Sequence, residues 1–314
     1  MKKQNSTKPQ TKKYQTLQKG DVVEILAPAY GIKEKEVESI KEYIRSIGLV
    51  PRVPKDILKG DLIASAPAES RFKQLKDALF AKDSKAIWCV KGGSGSPEII
   101  PMLKKIKNKP KVQKLFIAFS DITSIHFFLN QNWGWQTVHG PILWQIIRQR
   151  IDEESIKNIE NIIFGREYKT EFELEEIGKN SKQKNINAKA IIGGNLKLVQ
   201  CSIGTIWEIK AKDKILLFED INEKPYQVDR LMRHIIQANL CKGAKAIIFG
   251  DFEGGEIEMD MPLINKILER FANEIKIPVF RVSGIGHTAR NYGIHFGSPT
   301  KIEFKNKKPV MMVG

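Results

Sequence analysis

Lys114-Leu115-Phe116-Ile117-Ala118-Phe119-Ser120-Asp121-Ile122-Thr123-Ser124-Ile125-His126-Phe127-Phe128-Leu129 is the stretch on which the fold turns. It opens as a short apolar run with β-character, crosses Ser120-Asp121, and continues with Ile122, Ile125, Phe128 and Leu129 at helical spacing. The reading is strand, abrupt turn, helix, with a hydroxyl at the turn. A serine held there stands at the carboxyl edge of a sheet and the amino end of a helix, where backbone N–H groups can stabilise an oxyanion. These are the mechanics of a nucleophile elbow without the G-x-S-x-G spelling. A serine or aspartate before a helix is also the ordinary N-cap, and this stretch alone leaves both readings open.

Upstream, strand and helix alternate. A strand at Asp21–Pro28 leads to a helix with Val37, Ile40, Tyr43, Ile44 and Ile47 on one face, stopped by Gly48. A short strand, Leu49–Val53, precedes a helix over Arg71–Ala81 that Ser70 is placed to cap. Strand Lys85–Val90 runs into Lys91-Gly92-Gly93-Ser94-Gly95-Ser96, and a helix starts near Pro97. Glycines there let backbone N–H groups approach a ligand. The spelling is not G-x-G-x-x-G and follows an internal strand, so a dinucleotide loop is weakly signalled, and a plain tight turn fits as well. Strand Gln136–His139 and the turn Gly140-Pro141 follow the central stretch. Such alternation argues for a parallel sheet covered on both faces, with ligands outside the carboxyl ends of the strands. Gly92-Gly93 and Ser120 both fall at that edge.

From about Arg148 to Ala188 the chain is rich in Lys, Glu and Asn and reads as a surface helix, then a linker or crossing strand at 168–177. The second half resumes the alternation. Ala190–Leu196, Lys214–Asp220, Ala246–Phe249 and Pro278–Val282 read as strands or strand ends. Pro225 opens an amphipathic helix with Val228, Leu231, Met232, Ile235 and Ile236 on one face, and Gly243 closes it. A further helix spans 262–272, the turn Gly284-Ile285-Gly286-His287 follows, and the tail at 301–313 alternates like edge strands.

At 314 residues the chain has room for two ordinary domains, and 41% hydrophobic content is enough for packed cores. No apolar run approaches the roughly 20 residues of a membrane helix. The basic amino end leads into no apolar signal region, so the expectation is a short disordered arm on a protein that stays in the cytoplasm. Cys89, Cys201 and Cys241 lack metal-ligand spacing and read as buried free thiols in a reducing compartment. The net charge of +16 is spread through helices and loops without a basic helix. It argues for attraction to anionic ligands rather than for nucleic acid.

Four short signatures stand in order: Lys91-Gly92-Gly93-Ser94-Gly95-Ser96, Phe119-Ser120-Asp121-Ile122-Thr123, Leu217-Phe218-Glu219-Asp220 and Gly286-His287. With His139-Gly140-Pro141 and Gly193-Gly194-Asn195-Leu196 between them, the chain resembles the LD-carboxypeptidase family of serine peptidases, from about Gly20 to Gly297. That family includes murein tetrapeptide carboxypeptidases and microcin C resistance peptidases. The resemblance implies Ser120 as nucleophile, His287 as general base, Glu219 as the group that orients it, and the backbone N–H groups of Gly93 and Asp121 as oxyanion hole. Ala118 stands where the family usually has glycine, and Lys91 and Ser94 replace an arginine and a tyrosine beside the oxyanion loop.

The fold expected is α/β: an N-terminal parallel-sheet, Rossmann or flavodoxin-like domain plus a smaller C-terminal α/β domain, with the active site at their interface. The expected layout is a disordered basic arm at 1–19, the nucleophile domain at 20–150, a linker region at 151–188 and the domain carrying acid and base at 189–314. The function implied is hydrolysis of an L,D-peptide bond through an acyl-enzyme, releasing C-terminal D-alanine from murein tetrapeptides during cell-wall recycling, with no metal or other cofactor. The implied partner is a small muropeptide, with no nucleic acid or membrane, and the family implies a homodimer. Two alternatives stand beside this. A peptidyl-nucleotide could be the substrate, with Trp133, Trp135, Trp144 or Trp207 stacking on adenine, or the scaffold could bind without catalysis.

Overall fold

The alternation of apolar runs and amphipathic stretches builds two parallel sheets in succession. In the computed structural model, which describes residues 14–166, 168–180, 184–255 and 262–314, the first half runs β1 (Val22–Leu26), α1 (Glu34–Ser46), β2 (Val50–Arg52), α2 (Ala68–Phe80), β3 (Ser84–Cys89), α3 (Ser96–Lys104), β4 (Leu115–Ala118), a 3-10 turn at Ser120–Ile122, α4 (Thr123–Phe128), β5 (Thr137–His139), α5 (Leu143–Ile147) and α6 (Glu153–Phe164). Then come β6 (Glu171–Glu173), β7 (Glu175–Ile177), β8 (Ile186–Ala188), β9 (Ala190–Asn195), α7 (Leu196–Cys201), β10 (Lys214–Ile221), α8 (Pro225–Gln237), β11 (Ala246–Glu253), α9 (Leu263–Glu274), β12 (Val279–Arg281), β13 (Ile294–Phe296), β14 (Thr300–Lys305) and β15 (Lys308–Val313).

The first sheet has the order β13-β5-β4-β3-β1-β2, with β1 to β5 parallel and β13 antiparallel to β5. Within it the order 2-1-3-4-5 is flavodoxin-like, and its crevice lies at the carboxyl ends of β1 and β3, beside β4. The second sheet, β7-β12-β11-β10-β9, is parallel except for β7, and a third, β6-β15-β14-β8, is antiparallel. Helices cover both faces of the first sheet, whereas the second carries helices on one face and the antiparallel third sheet on the other, so the central strands of both are largely apolar. Among the described residues no helix is long and apolar enough to cross a membrane.

The structure corrects several local expectations. Residues 1–13 lie outside the described residues, but the end of the expected arm is packed: Tyr14 and Leu17 are buried, and Tyr14 bridges to Gln113. The segment expected as a linker is built in. Ile159, Ile162 and Ile163 of α6 belong to the first domain's core, while β6, β7 and β8 join the other two sheets. Conversely, β13 leaves the second half to complete the first sheet. Ser70 is not the cap of α2. Pro67 fixes the helix start three residues earlier, and the Ser70 hydroxyl donates to the Asp56 carboxylate. Gly243 does not close α8 either. The helix ends at Gln237, and Asn239 takes the left-handed position at φ +54°, which asparagine tolerates. Cys89 and Cys241 are buried free thiols, but Cys201 at the end of α7 is exposed.

Trp88 of β3 is fully buried and donates its indole N–H to the Pro141 carbonyl at 2.9 Å. Tyr43 of α1 meets its ring edge-on at 6.1 Å. Trp88→Ala should therefore cost about 3–5 kcal/mol of unfolding free energy, read from urea denaturation. A loss below about 1 kcal/mol would mean that the layer beneath β3 collapses to fill the space.

Candidate active site

β4 ends at Ala118, and within two residues the backbone reverses. Ser120 sits at φ +62°, a left-handed conformation that costs a non-glycine residue about 1–3 kcal/mol and persists where the surroundings over-determine it. The N-cap reading does not hold, because neither the 3-10 turn nor α4 has a side-chain cap hydrogen bond. The Asp121 carboxylate is used elsewhere: its Oδ2 accepts the Ser96 N–H at 2.8 Å, and its carbonyl accepts the Ser96 hydroxyl at 2.6 Å. Burial pushes the Asp121 carboxyl above its ordinary pKa. These bonds tie the start of α3 to the turn after β4.

The glycine-rich turn is pressed against Ser120. A Cβ on Gly92 would fall 2.7 Å from the Ser120 Cβ and 3.0 Å from its Oγ, so only hydrogen fits there. Gly93 has φ +107°, and its α-carbon faces the Tyr30 ring so closely that a Cβ would lie 2.2 Å from it. Among the described residues no acceptor takes the Gly93 or the Asp121 N–H. Arg71 holds this arrangement from beneath. It is buried, and its guanidinium donates to the carbonyls of Ala66, Pro28 and Gly95 at 2.7, 2.8 and 2.7 Å and to the Glu98 carboxylate. The loops after β1 and β3 are thereby fixed to α2.

The second half brings two more side chains to Ser120. Glu219 lies on β10 where the register with β11 shifts between Phe218 and Asp220, an irregularity of the kind that re-aims a side chain. It is fully buried. His287 follows β12 in a turn pinned by Asp251, whose Oδ2 accepts the Gly284 N–H at 2.9 Å and whose own N–H donates to Ile285 at 2.8 Å. His287 Nδ1 lies 2.6 Å from Glu219 Oε2, and its Nε2 lies 3.1 Å from Ser120 Oγ. A carboxylate can only accept, so the proton sits on Nδ1 and the Nε2 lone pair faces the hydroxyl. The structure thus brings Ser120, Glu219 and His287 into one chain of hydrogen bonds, with Gly93 and Asp121 beside it. That arrangement can remove a proton from an attacking hydroxyl and hold an oxyanion next to it.

Sequence reasoning missed the supports. Arg71 reads as an ordinary helix residue, and nothing in its neighbours signals burial. Thr123, whose Oγ1 accepts the Asn195 N–H at 3.1 Å, joins the halves. Asp220 accepts from Asn195 Nδ2 at 2.7 Å and from the Lys197 N–H at 3.0 Å, and burial with the adjacent Glu219 charge raises its pKa to about 7. Behind Ser120 lie two buried histidines. His126 Nε2 donates to the Ala118 carbonyl at 3.1 Å and its Nδ1 accepts from Thr137 at 2.7 Å. His139 stacks on Phe296. Trp133, Trp135 and Trp207, read as stacking candidates, are buried in the core, where Trp133 meets Trp135 and Trp207 meets Phe127. They offer no free face, whereas Trp144 is half-buried.

Residues 23–140 match the LD-carboxypeptidase N-terminal domain and residues 190–302 the LD-carboxypeptidase C-terminal domain. The chain is 37% identical over 297 residues to a Rickettsia conorii protein named "Putative carboxypeptidase", covering 93% of this chain and 90% of that one. In structure it is similar to muramoyltetrapeptide carboxypeptidase from Oxalobacter formigenes (TM-score 0.76, 20% identity, 93% of this chain and 98% of that chain). It is similar also to the microcin C7 self immunity protein MccF, seen with adenosine monophosphate (TM-score 0.81, 18% identity, 96% and 98%). These structures share its α/β architecture and two-domain arrangement.

The buried histidines make stability depend on pH. Burial lowers the His126 pKa from 6.5 to about 4. The folded chain keeps this ring neutral while the unfolded chain protonates it below about pH 6.5. The stability it contributes is whole above that pH and is lost as pH falls from about 6.5 to about 4, at about 1.4 kcal/mol per unit. His139 is shifted the same way, by burial first, and adds to the slope. Urea midpoints should fall steadily between about pH 7 and about pH 4.5, and less steeply in His126→Gln. An equal slope in both proteins would contradict the neutral buried ring.

Proposed function

The chain belongs to the LD-carboxypeptidase family of serine peptidases, and from that premise we propose that it cleaves the peptide bond between an L-configured centre and a C-terminal D-amino acid, releasing D-alanine from murein tetrapeptides in the cytoplasm. The observation that carries this reading is the left-handed Ser120 with Oγ 3.1 Å from His287 Nε2, itself backed by Glu219 at 2.6 Å. Ser120 Oγ attacks the scissile carbonyl as its proton passes to His287 Nε2. The oxyanion rests on the N–H groups of Gly93 and Asp121. Collapse expels the D-amino acid, whose amine takes the proton from His287, and leaves an ester on Ser120. Water, deprotonated by His287, then cleaves the ester. Glu219 keeps the ring in the required tautomer and stabilises its protonated form. The positive net charge of the chain suits an anionic peptide.

Lys91 is the cation we propose for the terminal carboxylate. It precedes Gly92-Gly93, its Nζ lies 4.8 Å from the Trp144 ring centre and 5.9 Å from that of Tyr30, and among the described residues it makes no ion pair with a carboxylate. A peptidyl-nucleotide is the second reading, for which Trp144 is the stacking candidate that is not buried in the core.

Free D-alanine should appear when the wild type is incubated with a murein tetrapeptide, and Ser120→Ala should lose at least about a thousandfold in rate. Release by both proteins would remove Ser120 from the chemistry. Release by neither, with a peptidyl sulfamoyl adenylate hydrolysed instead, would move the substrate to the second reading. Lys91→Met should raise KM about tenfold while leaving kcat within about twofold, the signature of lost carboxylate binding. An unchanged KM would assign the carboxylate to another group.

A further inference from the structure

His139 ends β5 immediately behind Ser120, and its ring is completely buried. It stacks on Phe296 of β13 at 4.8 Å and 19°, and Phe119 lies against it at 4.7 Å. The same Phe119 ring lies 4.4 Å from His287. Among the described residues neither His139 nitrogen has a hydrogen-bond partner, and neither has Glu219 Oε1. These orphans face each other: His139 Nε2 is 3.7 Å from Glu219 Oε1. That separation is too long for a hydrogen bond and too short for a water between them. Leaving both groups unpaired in a buried site is costly.

We propose that His139 is a positioning residue that presents Nε2–H to Glu219 Oε1 and closes to hydrogen-bond distance when His287 takes the Ser120 proton. The inference rests on the assignment of Ser120, His287 and Glu219 above. Glu219 uses one oxygen on His287 Nδ1, and a donor on its other oxygen fixes the rotation of the carboxylate. The ring must be neutral to avoid competing with His287 for the carboxylate charge. Burial, with His126 and His287 nearby, keeps it so. Phe296 and Phe119 set the plane of the ring, and the pairing of β5 with β4 and β13 sets its position.

The test separates the donor from the ring. His139→Phe keeps a flat ring for Phe296 and removes the N–H, whereas His139→Gln restores a donor and removes the stack. Two readouts are taken: kcat and KM for D-alanine release, and the rate at which a serine-reactive phosphonate labels Ser120, which needs no peptide. The Phe variant should lose about 10- to 100-fold in kcat and in labelling rate with KM within about twofold, as expected for loss of a hydrogen bond to a charged group. The Gln variant should recover much of that loss. A Phe variant as fast as wild type, or a Gln variant slower than Phe, would overturn the proposal and leave a packing role. A folded wild type that the phosphonate does not label at Ser120 would overturn the underlying assignment and this inference with it. Nitrogen-15 spectra of the wild-type histidines give a result independent of any variant's folding. They should show His139 as the neutral Nε2–H tautomer, and an Nδ1–H tautomer would overturn the proposal.

Discussion

The site depends on how closely the backbone at Gly92 approaches Ser120. Two turns from neighbouring strands, β3 and β4, are pressed together until no side chain fits between them. That contact keeps Ser120 in a left-handed conformation that an isolated peptide would leave. The Gly93 and Asp121 N–H groups, the proposed oxyanion donors, belong to these same two turns. Strain at one residue is sustained by bonds at several others: Ser96 to Asp121, Arg71 to three carbonyls, and the Tyr30 ring against Gly93. Ala118, where the family usually has glycine, fits this geometry because it closes β4 with its small side chain buried and its carbonyl taken by Gly140 and His126.

A serine from one half and a histidine from the other must keep a 3.1 Å relation, and the chain meets this by interlocking the halves. β13, seven residues past His287, pairs with β5, the strand beside β4. The turn that carries His287 is therefore tethered at one end to the second sheet through β12 and at the other to the first through β13. The Asn195 N–H to Thr123 bond adds a second tie beside the Ser120 turn. Slippage between the halves would break β-pairing as well as surface contacts.

Much of this was legible in the sequence, for reasons that also explain what was not. Apolar runs ending in Gly-Gly, Ser-Asp, Glu-Asp and Gly-His placed those residues at strand ends, and parallel sheets bring strand ends together. Local pattern is strong for such features. In segment 151–188 the helix and a crossing strand at 168–177 were readable, and α6, β6 and β7 stand there, but their place in the sheets was not, because β6, β7 and β8 are three-residue strands whose partners lie more than a hundred residues away. Pairing at that distance leaves no periodicity to read. Arg71 was opaque for a related reason: a helical arginine reads as exposed, and its burial follows from carbonyls that three separate loops direct at it. Tyr14 belongs in the same group, since its partners His295 and Gln113 are remote in the chain.

The buried and half-buried acids show how the protein divides structural from chemical work. Asp121, Asp220, Asp251 and Glu219 all lie within or against the seam, in a chain whose net charge is +16. Surface lysines do little for a carboxylate out of water, so each acid needs local donors. Asp121, Asp220 and Asp251 receive backbone N–H groups, from Ser96, from Lys197 and Ile221, and from Gly284 respectively. A backbone amide does not gain or lose a proton, so these three acids hold turns through donors that do not themselves titrate. Glu219 instead receives its bond from an imidazole. On the proposed mechanism its environment changes when that ring takes the Ser120 proton, so the same kind of carboxylate would take part in proton transfer rather than only in architecture.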